Sequence, residues 1–362
     1  MGSLEVKIDQ LFDSYLNKSF FTGGVCSVHW KGEQLLQKAY GKRSSITNEH
    51  VTTDTIFDLA SVTKIFTATI LLKMVTEGKV TLGTTLKDCL PEVRGNKILE
   101  PISVQQLLTH SSGLTAWYPF YTHVPQADLL TILDSIELKH QENKEVVYSD
   151  LNYILLGEII KRYFNMSLQE VIKQELITTL SLNTLTYGPL HSENVAATEF
   201  GNQIEMDMCR TRNKEFNHWR PTNQPIIGEV NDGNTYYYFK GQSGHAGLFG
   251  TANDLDQLLQ LYLKGGMAKG EKLIDVALIN QSLHNIAENR GLGWHSSDPF
   301  PVGFGHTGFT GTSIWIVPEK DLQVVLLTNR LHVNQPVNIN PFRKELHEEI
   351  LSYISGIQRE DI

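Results

Sequence analysis

Phe57-Asp58-Leu59-Ala60-Ser61-Val62-Thr63-Lys64 runs directly into the apolar stretch Ile65 to Glu77, which Gly78 closes. That stretch is apolar on most sides, which predicts a helix buried in the middle of the molecule. Gly78 stands where a helix C-terminus takes a left-handed residue. Ser61 and Lys64 are one turn apart, so a hydroxyl and an amine share a face. At a helix N-terminus the macrodipole favours developing negative charge. A serine is a poor nucleophile until a base removes its proton. A lysine can be that base where burial or positive neighbours lower its pKa. The same spacing also fits a helix N-cap followed by a solvated lysine, so the rest of the chain decides between the two.

Working outward, Leu4, Ile8, Leu11, Phe12 and Tyr15 fall on one helical face. Gly24 to Trp30 and Glu33 to Tyr40 flank Lys31-Gly32 and read as a β-hairpin. Residues 80 to 190 read as mostly helical. Ser103 with Gln106 forms a capping box for a helix ending near His110. Leu151, Ile154, Leu155, Ile159, Ile160 and Tyr163 mark another helix. Residues 190 to 245 show little periodicity and are expected to be long loops with short strands. Asp254 to Leu263 is a helix. Ser313 to Val317 and Leu322 to Thr328 flank Pro318-Glu319-Lys320-Asp321 as a second hairpin. Phe342, Leu346, Ile350 and Ile354 give a closing amphipathic helix. Strands at both ends with helices between predict one sheet built from the two termini.

Composition narrows the function. The 362 residues are 41% hydrophobic and 20% charged, as in ordinary globular proteins. A net charge of −9 without a long basic run argues against nucleic acid as a partner. Cys26, Cys89 and Cys209 are widely spaced and odd in number, which disfavours a disulfide framework. Glu5, Lys7, Asp9 and Asp13 interrupt any secretion signal, and no apolar stretch approaches a membrane span. A cytoplasmic location is expected, a leader removed ahead of Met1-Gly2-Ser3 being the alternative.

Two more motifs complete a constellation. Tyr148-Ser149-Asp150 precedes a helix, and His306-Thr307-Gly308 precedes the second hairpin within Gly305-His306-Thr307-Gly308-Phe309-Thr310-Gly311. With Ser61-Val62-Thr63-Lys64 they stand in the order of the three motifs of serine β-lactamases and penicillin-recognising enzymes. The chain resembles the class C branch of that superfamily, which includes class C β-lactamases, D,D-peptidases, D-aminopeptidases and related esterases. Leu107-Leu108-Thr109-His110-Ser111-Ser112-Gly113-Leu114 and Gly244-His245-Ala246-Gly247-Leu248-Phe249 also match, and the resemblance covers nearly the whole chain. It implies an α/β (α+β) fold of the β-lactamase/transpeptidase kind, an antiparallel sheet from both termini with helices on both faces. It further implies one catalytic domain over residues 1–362, with a sheet lobe of 1–80 and 250–362 and a mainly helical lobe of 81–249.

The resemblance assigns roles. Ser61 is the nucleophile, Lys64 keeps it deprotonatable and passes protons, and Tyr148 matches the tyrosine beside them. Tyrosine titrates near ~10, so it can act as a base only where cations favour the phenolate. Lys64 is one such cation and a protonated His306 would be another. The backbone N–H groups of Ser61 and Phe309 are expected to form the oxyanion hole. Asp150, His306, Thr307 and Gly308 are the expected substrate-binding residues. β-Lactamases usually carry Asn at the position of Asp150 and Lys at that of His306. A carboxylate only accepts hydrogen bonds, so Asp150 fits an ammonium-bearing or differently oriented substrate. Asn152 either restores a donor or is packed in its helix. Histidine, titrating near ~6.5, holds a substrate carboxylate only in part at neutral pH.

Other readings fail on the residues. Ser149-Asp150-Leu151 is not the class A S-D-N, and Gly241-Gln242-Ser243-Gly244-His245 lacks the last glycine of a nucleophile elbow. No H-E-x-x-H occurs, so no metal site is expected. His110 and His245 read first as hydrogen-bonded structural histidines. Tyr236-Tyr237-Tyr238-Phe239 fits either a cleft wall or a half-buried strand. The expectation is a serine hydrolase without metal or organic cofactor, cleaving a small amide or ester through an acyl-enzyme on Ser61. Its partner would be a small-molecule or short-peptide substrate such as a D-amino-acid peptide, a β-lactam-like compound or an ester. A carboxylesterase of the same family and a non-catalytic penicillin- or muropeptide-binding sensor are the alternatives.

Overall fold

The computed structural model describes residues 3–123, 127–135 and 145–360. The two ends of the chain build one five-stranded antiparallel sheet. Its order is Glu33–Gly41, Gly23–Trp30, Leu322–Thr328, Ser313–Val317, Phe304–Thr307. Gly24 pairs with Thr328 and Trp30 with Leu322, which joins the first hairpin to the second across the middle of the sheet. Ser313–Val317 and Leu322–Thr328 are buried along their whole length. Such strands read as continuous apolar runs because both faces are covered.

Side chains alternate between two cores, as the pleat requires. Cys26, Val28, Trp315, Val317, Val324 and Leu326 pack under the first helix, Leu4–Asn17, and the last, Asn340–Glu360. Phe342, Leu346, Ile350 and Ile354 of the last helix are fully buried there. Val25, Ile314, Ile316, Val325 and Leu327 face the other way, onto Ala252–Leu263 and the larger core. That core contains the helix Thr63–Thr76, buried continuously from Thr63 to Leu72. Gly78 follows it with φ +68°.

The inserted segment is largely helical, with Val104–Leu108, Leu129–Ser135, Asp150–Phe164 and Leu168–Ile172. Ser103 and Gln106 form their capping box. The segment 190–245 differs from expectation. It contains the helix Gln203–Thr211 and the π-helical turn Asn234–Tyr238 where short strands were expected. Gln203–Thr211 is only nine residues long, so tertiary contacts hold it. Tyr121 Oη donates to its buried Glu205 at 2.9 Å. The aromatic run Tyr236 to Phe239 lies on the π-turn, where Tyr237 packs on Phe216 and Tyr121, and Tyr238 on Phe120. The motif His306-Thr307 sits within the edge strand Phe304–Thr307 rather than before the strands. Gly305 and Gly308 had weakened its β signal. Tyr163, expected on the buried face of its helix, is 47% exposed. No helix among the described residues is long and apolar enough to cross a membrane.

Candidate active site

Phe57–Asp58 pairs with Leu248–Gly250 and delivers the chain to the foot of the buried helix. Ala60 there takes φ +45°, a left-handed conformation that costs energy in a residue with a Cβ. Ala60–Val62 is a single 3-10 turn, and the α-helix begins at Thr63. Ser61 therefore stands on a bend ahead of the helix.

Lys64 is completely buried. Its Nζ donates to Ser61 Oγ at 2.8 Å, to Asp150 Oδ1 at 2.8 Å and to the carbonyl of His245 at 3.1 Å. Three acceptors match the three protons of an ammonium. Burial pulls the lysine pKa down, but Asp150 and Tyr148 outweigh it and leave the value above that of an ordinary lysine. Asp150, expected to meet the substrate, thus has Lys64 as its partner. Asp150 begins the helix Asp150–Phe164.

Tyr148 is bracketed by positive and aromatic groups. Lys64 Nζ lies 5.0 Å from its ring centroid and the Arg290 guanidinium carbon 5.2 Å. The His110 ring packs at 4.6 Å and that of His306 at 6.0 Å. Both cations thus lie within cation–π range of the Tyr148 ring. The backbone that carries Tyr148 is fastened to His110. Val147 N–H donates to the His110 carbonyl at 3.0 Å, and Ser149 N–H to His110 Nδ1 at 3.1 Å. Asn152 is fully buried, accepts from Ser112 Oγ and faces His110 Nδ1, so it is packed in its helix.

The third motif closes the site. Thr310 Oγ1 donates to the Asp58 carbonyl at 2.7 Å and Thr312 Oγ1 to the Leu59 carbonyl at 3.0 Å. The loop that carries Phe309 N–H is thereby bolted to the turn that carries Ser61 N–H. A Cβ on Gly308 would lie 2.0 Å from Thr312 Oγ1 and 2.7 Å from the Leu59 carbonyl, so only glycine allows this approach. His306 itself is 1% exposed, with Nδ1 2.9 Å from the Thr307 carbonyl and Nε2 buried without a partner among the described residues. Burial, with His295, Lys64 and Arg290 nearby, lowers its pKa well below the usual imidazole value.

A cavity of about 360 Å³ opens over Ser61, Tyr148, Thr307, Gly308 and Phe309. Arg330, Arg343, Val337 and Asn340 also line it. Arg330 donates to the carbonyls of Phe309 and Val337, and Arg343 to those of Gly308 and Thr312. Burial lowers Arg330 to about 10, and burial with the Arg330 charge lowers Arg343 to about 9. Neither arginine carried a sequence signal, because only the fold brings the end of one strand and the first turn of the last helix to the serine. Asp150, Asp232 and His245 each offer a ligand atom within 4.8 Å of the others. The Lys64 ammonium already serves as the cation beside them.

Comparisons with known proteins show the family and the fold. The Beta-lactamase family model matches residues 8–348. An N-acetylmuramyl-L-alanine amidase of Bacillus subtilis (strain 168) is 30% identical over 367 residues, covering 90% of this chain and 81% of the relative. Among solved structures, a beta-lactamase from Sulfitobacter sp. EE-36 superposes with a TM-score of 0.74 at 20% identity, over 98% of this chain and 100% of that one. A D-alanine carboxypeptidase from Burkholderia cenocepacia does so with 0.73 at 18% identity, over 96% and 98%. The chain belongs to the Beta-lactamase family, within the serine β-lactamase and penicillin-binding protein superfamily, and is a serine hydrolase.

Proposed function

We propose that the protein hydrolyses an amide bond in a small, carboxylate-bearing substrate of the peptidoglycan-fragment class, through an acyl-enzyme on Ser61. The observation that carries this is the placement of Ser61 Oγ, 2.8 Å from Lys64 Nζ, in a cavity that Arg330 and Arg343 also line. Both arginines are short of counter-charge, so an entering carboxylate would be stabilised there. The amide class is supported by the Bacillus subtilis relative, which is named for cleaving an N-acetylmuramyl-L-alanine amide.

The step requires the Tyr148 phenolate, which takes the proton of Ser61 as Oγ bonds to the substrate carbonyl carbon. The carbonyl electron pair moves to oxygen and is held by the N–H groups of Ser61 and Phe309. Collapse breaks the C–N bond, and the amine leaves with the proton from Tyr148. Water repeats the cycle on the ester, releasing the acid and restoring Ser61. Lys64 stays an ammonium throughout and stabilises charge on both oxygens.

The test is fluorophosphonate labelling with peptide mass spectrometry, followed by turnover of muramyl-L-alanine amides, D-Ala-D-Ala peptides, nitrocefin and p-nitrophenyl acetate. An adduct on Ser61 and a higher kcat/KM for a carboxylate-bearing amide than for the neutral ester are expected. Turnover that survives Ser61→Ala would overturn the assignment. Stoichiometric acylation without turnover would mark a sensor, and an ester preference would mark a carboxylesterase.

A further inference from the structure

The conformation of Ala60 needs an explanation, because a residue with a Cβ at φ +45° must be held there by its surroundings. The Asp58 side chain supplies the hold. It is 1% exposed, and Oδ1 accepts the Ala60 N–H at 2.9 Å. Oδ2 accepts the Asn231 N–H at 2.7 Å. One carboxylate therefore clamps the turn ahead of the nucleophile to a second loop. That loop continues into Asp232, whose Oδ1 lies 3.0 Å from His245 Nε2. The carbonyl of His245 in turn receives a proton of Lys64. Asn231 is anchored from behind by Asn202 and Arg220, both donating to its carbonyl.

We infer that Asp58 is a positioning residue for catalysis, holding the strained Ala60 turn so that Ser61 Oγ stays on Lys64 and Ser61 N–H stays beside Phe309 N–H. This role rests on the proposed function of Ser61. Both oxygens are used, so no neutral isostere replaces the clamp. An amide or a protonated carboxyl presents hydrogen to one of the two N–H groups. Burial raises the carboxyl to about 6, against the pull of its two backbone hydrogen bonds. The charged groups facing it are Asp232, which adds to the rise, and Arg220, which opposes it.

The test compares Asp58→Asn with the parent in three measurements: the rate of fluorophosphonate labelling at Ser61, the kcat and KM on p-nitrophenyl acetate, and the thermal midpoint. A misplaced nucleophile costs on the order of 10²-fold in rate. Labelling rate and kcat at pH 8 should fall roughly 10- to 100-fold, with KM within about threefold. The parent should lose rate along an acid limb centred near 6, and that limb should be missing in Asp58→Asn. Glycine takes a left-handed conformation without strain, so Asp58→Asn with Ala60→Gly should recover part of the lost rate, which a residue that merely stabilises the fold would not allow. If Asp58→Asn does not fold, the parent alone decides, since labelling that stays flat from pH 8 to pH 4.5 overturns the role. A parent labelled at Ser61 with an equally fast Asp58→Asn also overturns it and leaves the proposed function standing. A parent that takes no adduct at Ser61 overturns both.

Discussion

Lys64 Nζ and Asp150 Oδ1 stand 2.8 Å apart beneath the nucleophile, an ion pair whose lysine side chain is wholly buried. The pair keeps the amine charged, and in the proposed mechanism the lysine acts as a fixed cation while the proton of Ser61 goes to Tyr148. Asp150→Asn removes the largest influence raising the Lys64 pKa and leaves burial, which lowers it. The alkaline limb of the rate profile should then move down by about one pH unit or more. Turnover should fall roughly 10- to 100-fold. An alkaline limb that stays in place would show that Asp150 does not set the charge.

Lys64 Nζ donates to Ser61 Oγ and lies 5.0 Å from the Tyr148 ring centroid. Groups that act as one unit lose most of their effect when either is removed. Lys64→Ala and Tyr148→Phe should each abolish most turnover, and the double variant should be little worse than either. A double loss equal to the product of the single losses would separate them into independent contributors.

Arg343→Gln should distinguish substrates by charge. The glutamine keeps a hydrogen-bond donor on a shorter side chain and removes the cation on the cavity wall. KM for a carboxylate-bearing amide should rise about tenfold or more, while that for p-nitrophenyl acetate changes little. Equal effects on the two would mean that Arg343 only braces the Gly308 and Thr312 carbonyls.

A Cβ on Gly244 would lie 2.2 Å from the Tyr153 carbonyl and 2.9 Å from Gly157. This backbone contact sets the neighbouring His245 carbonyl on Lys64 and the Gly244 carbonyl on Thr67 Oγ1. Gly244→Ala should therefore cost roughly 1–3 kcal/mol as overpacking and lower turnover with it. Urea denaturation with unchanged midpoint and slope would refute the close approach.

The buried histidines set the acid stability. Burial lowers His110 and His306 well below the ordinary value and brings His295 and His347 to about 3. As pH falls through ~6.5 the unfolded chain gains protons that the folded one refuses, so stability drops by up to about 1.4 kcal/mol per pH unit per imidazole. Glu205, which burial and Asp232 raise to about 8, and Asp58, raised to about 6, act oppositely. The folded state keeps their protons, so they weaken it as pH rises. The imidazoles outnumber them, and the thermal midpoint should fall from pH 7 to pH 5. A midpoint that rises over that interval would mean that the acids prevail.

The sheet and its hairpins were legible because Gly24 to Trp30, Ser313 to Val317 and Leu322 to Thr328 carry local β signals between clear turns. The motifs at Ser61, Tyr148 and His306 were legible because short spacings are encoded in adjacent residues. Arg290, Arg330 and Arg343 were not, since each reaches the site by topology alone, and Asp58, although three residues ahead of Ser61, gains its second partner Asn231 only through the fold. Asp150 illustrates the limit from the other side. Its place next to Tyr148 was visible, but its partner is a lysine 86 positions away, and only the fold makes that contact. Gln203–Thr211 escaped notice because its apolar residues, Ile204, Met206, Met208 and Cys209, lie among charged ones in a run of only nine residues.

The sheet joins the two ends of the chain, Gly24 lying against Thr328 and Trp30 against Leu322. Chains emerge from the ribosome N-terminus first, and pairings this distant form slowly. The strand Gly23–Trp30 therefore waits through nearly all of synthesis with one side unpaired, an edge open to wrong partners. Ser61 is made early, whereas the loop around Phe309 that completes its site comes near the end. On the role proposed for Ser61, hydrolytic power is thus the last property the growing polypeptide acquires, and a chain broken off before that loop holds a serine that can do no chemistry.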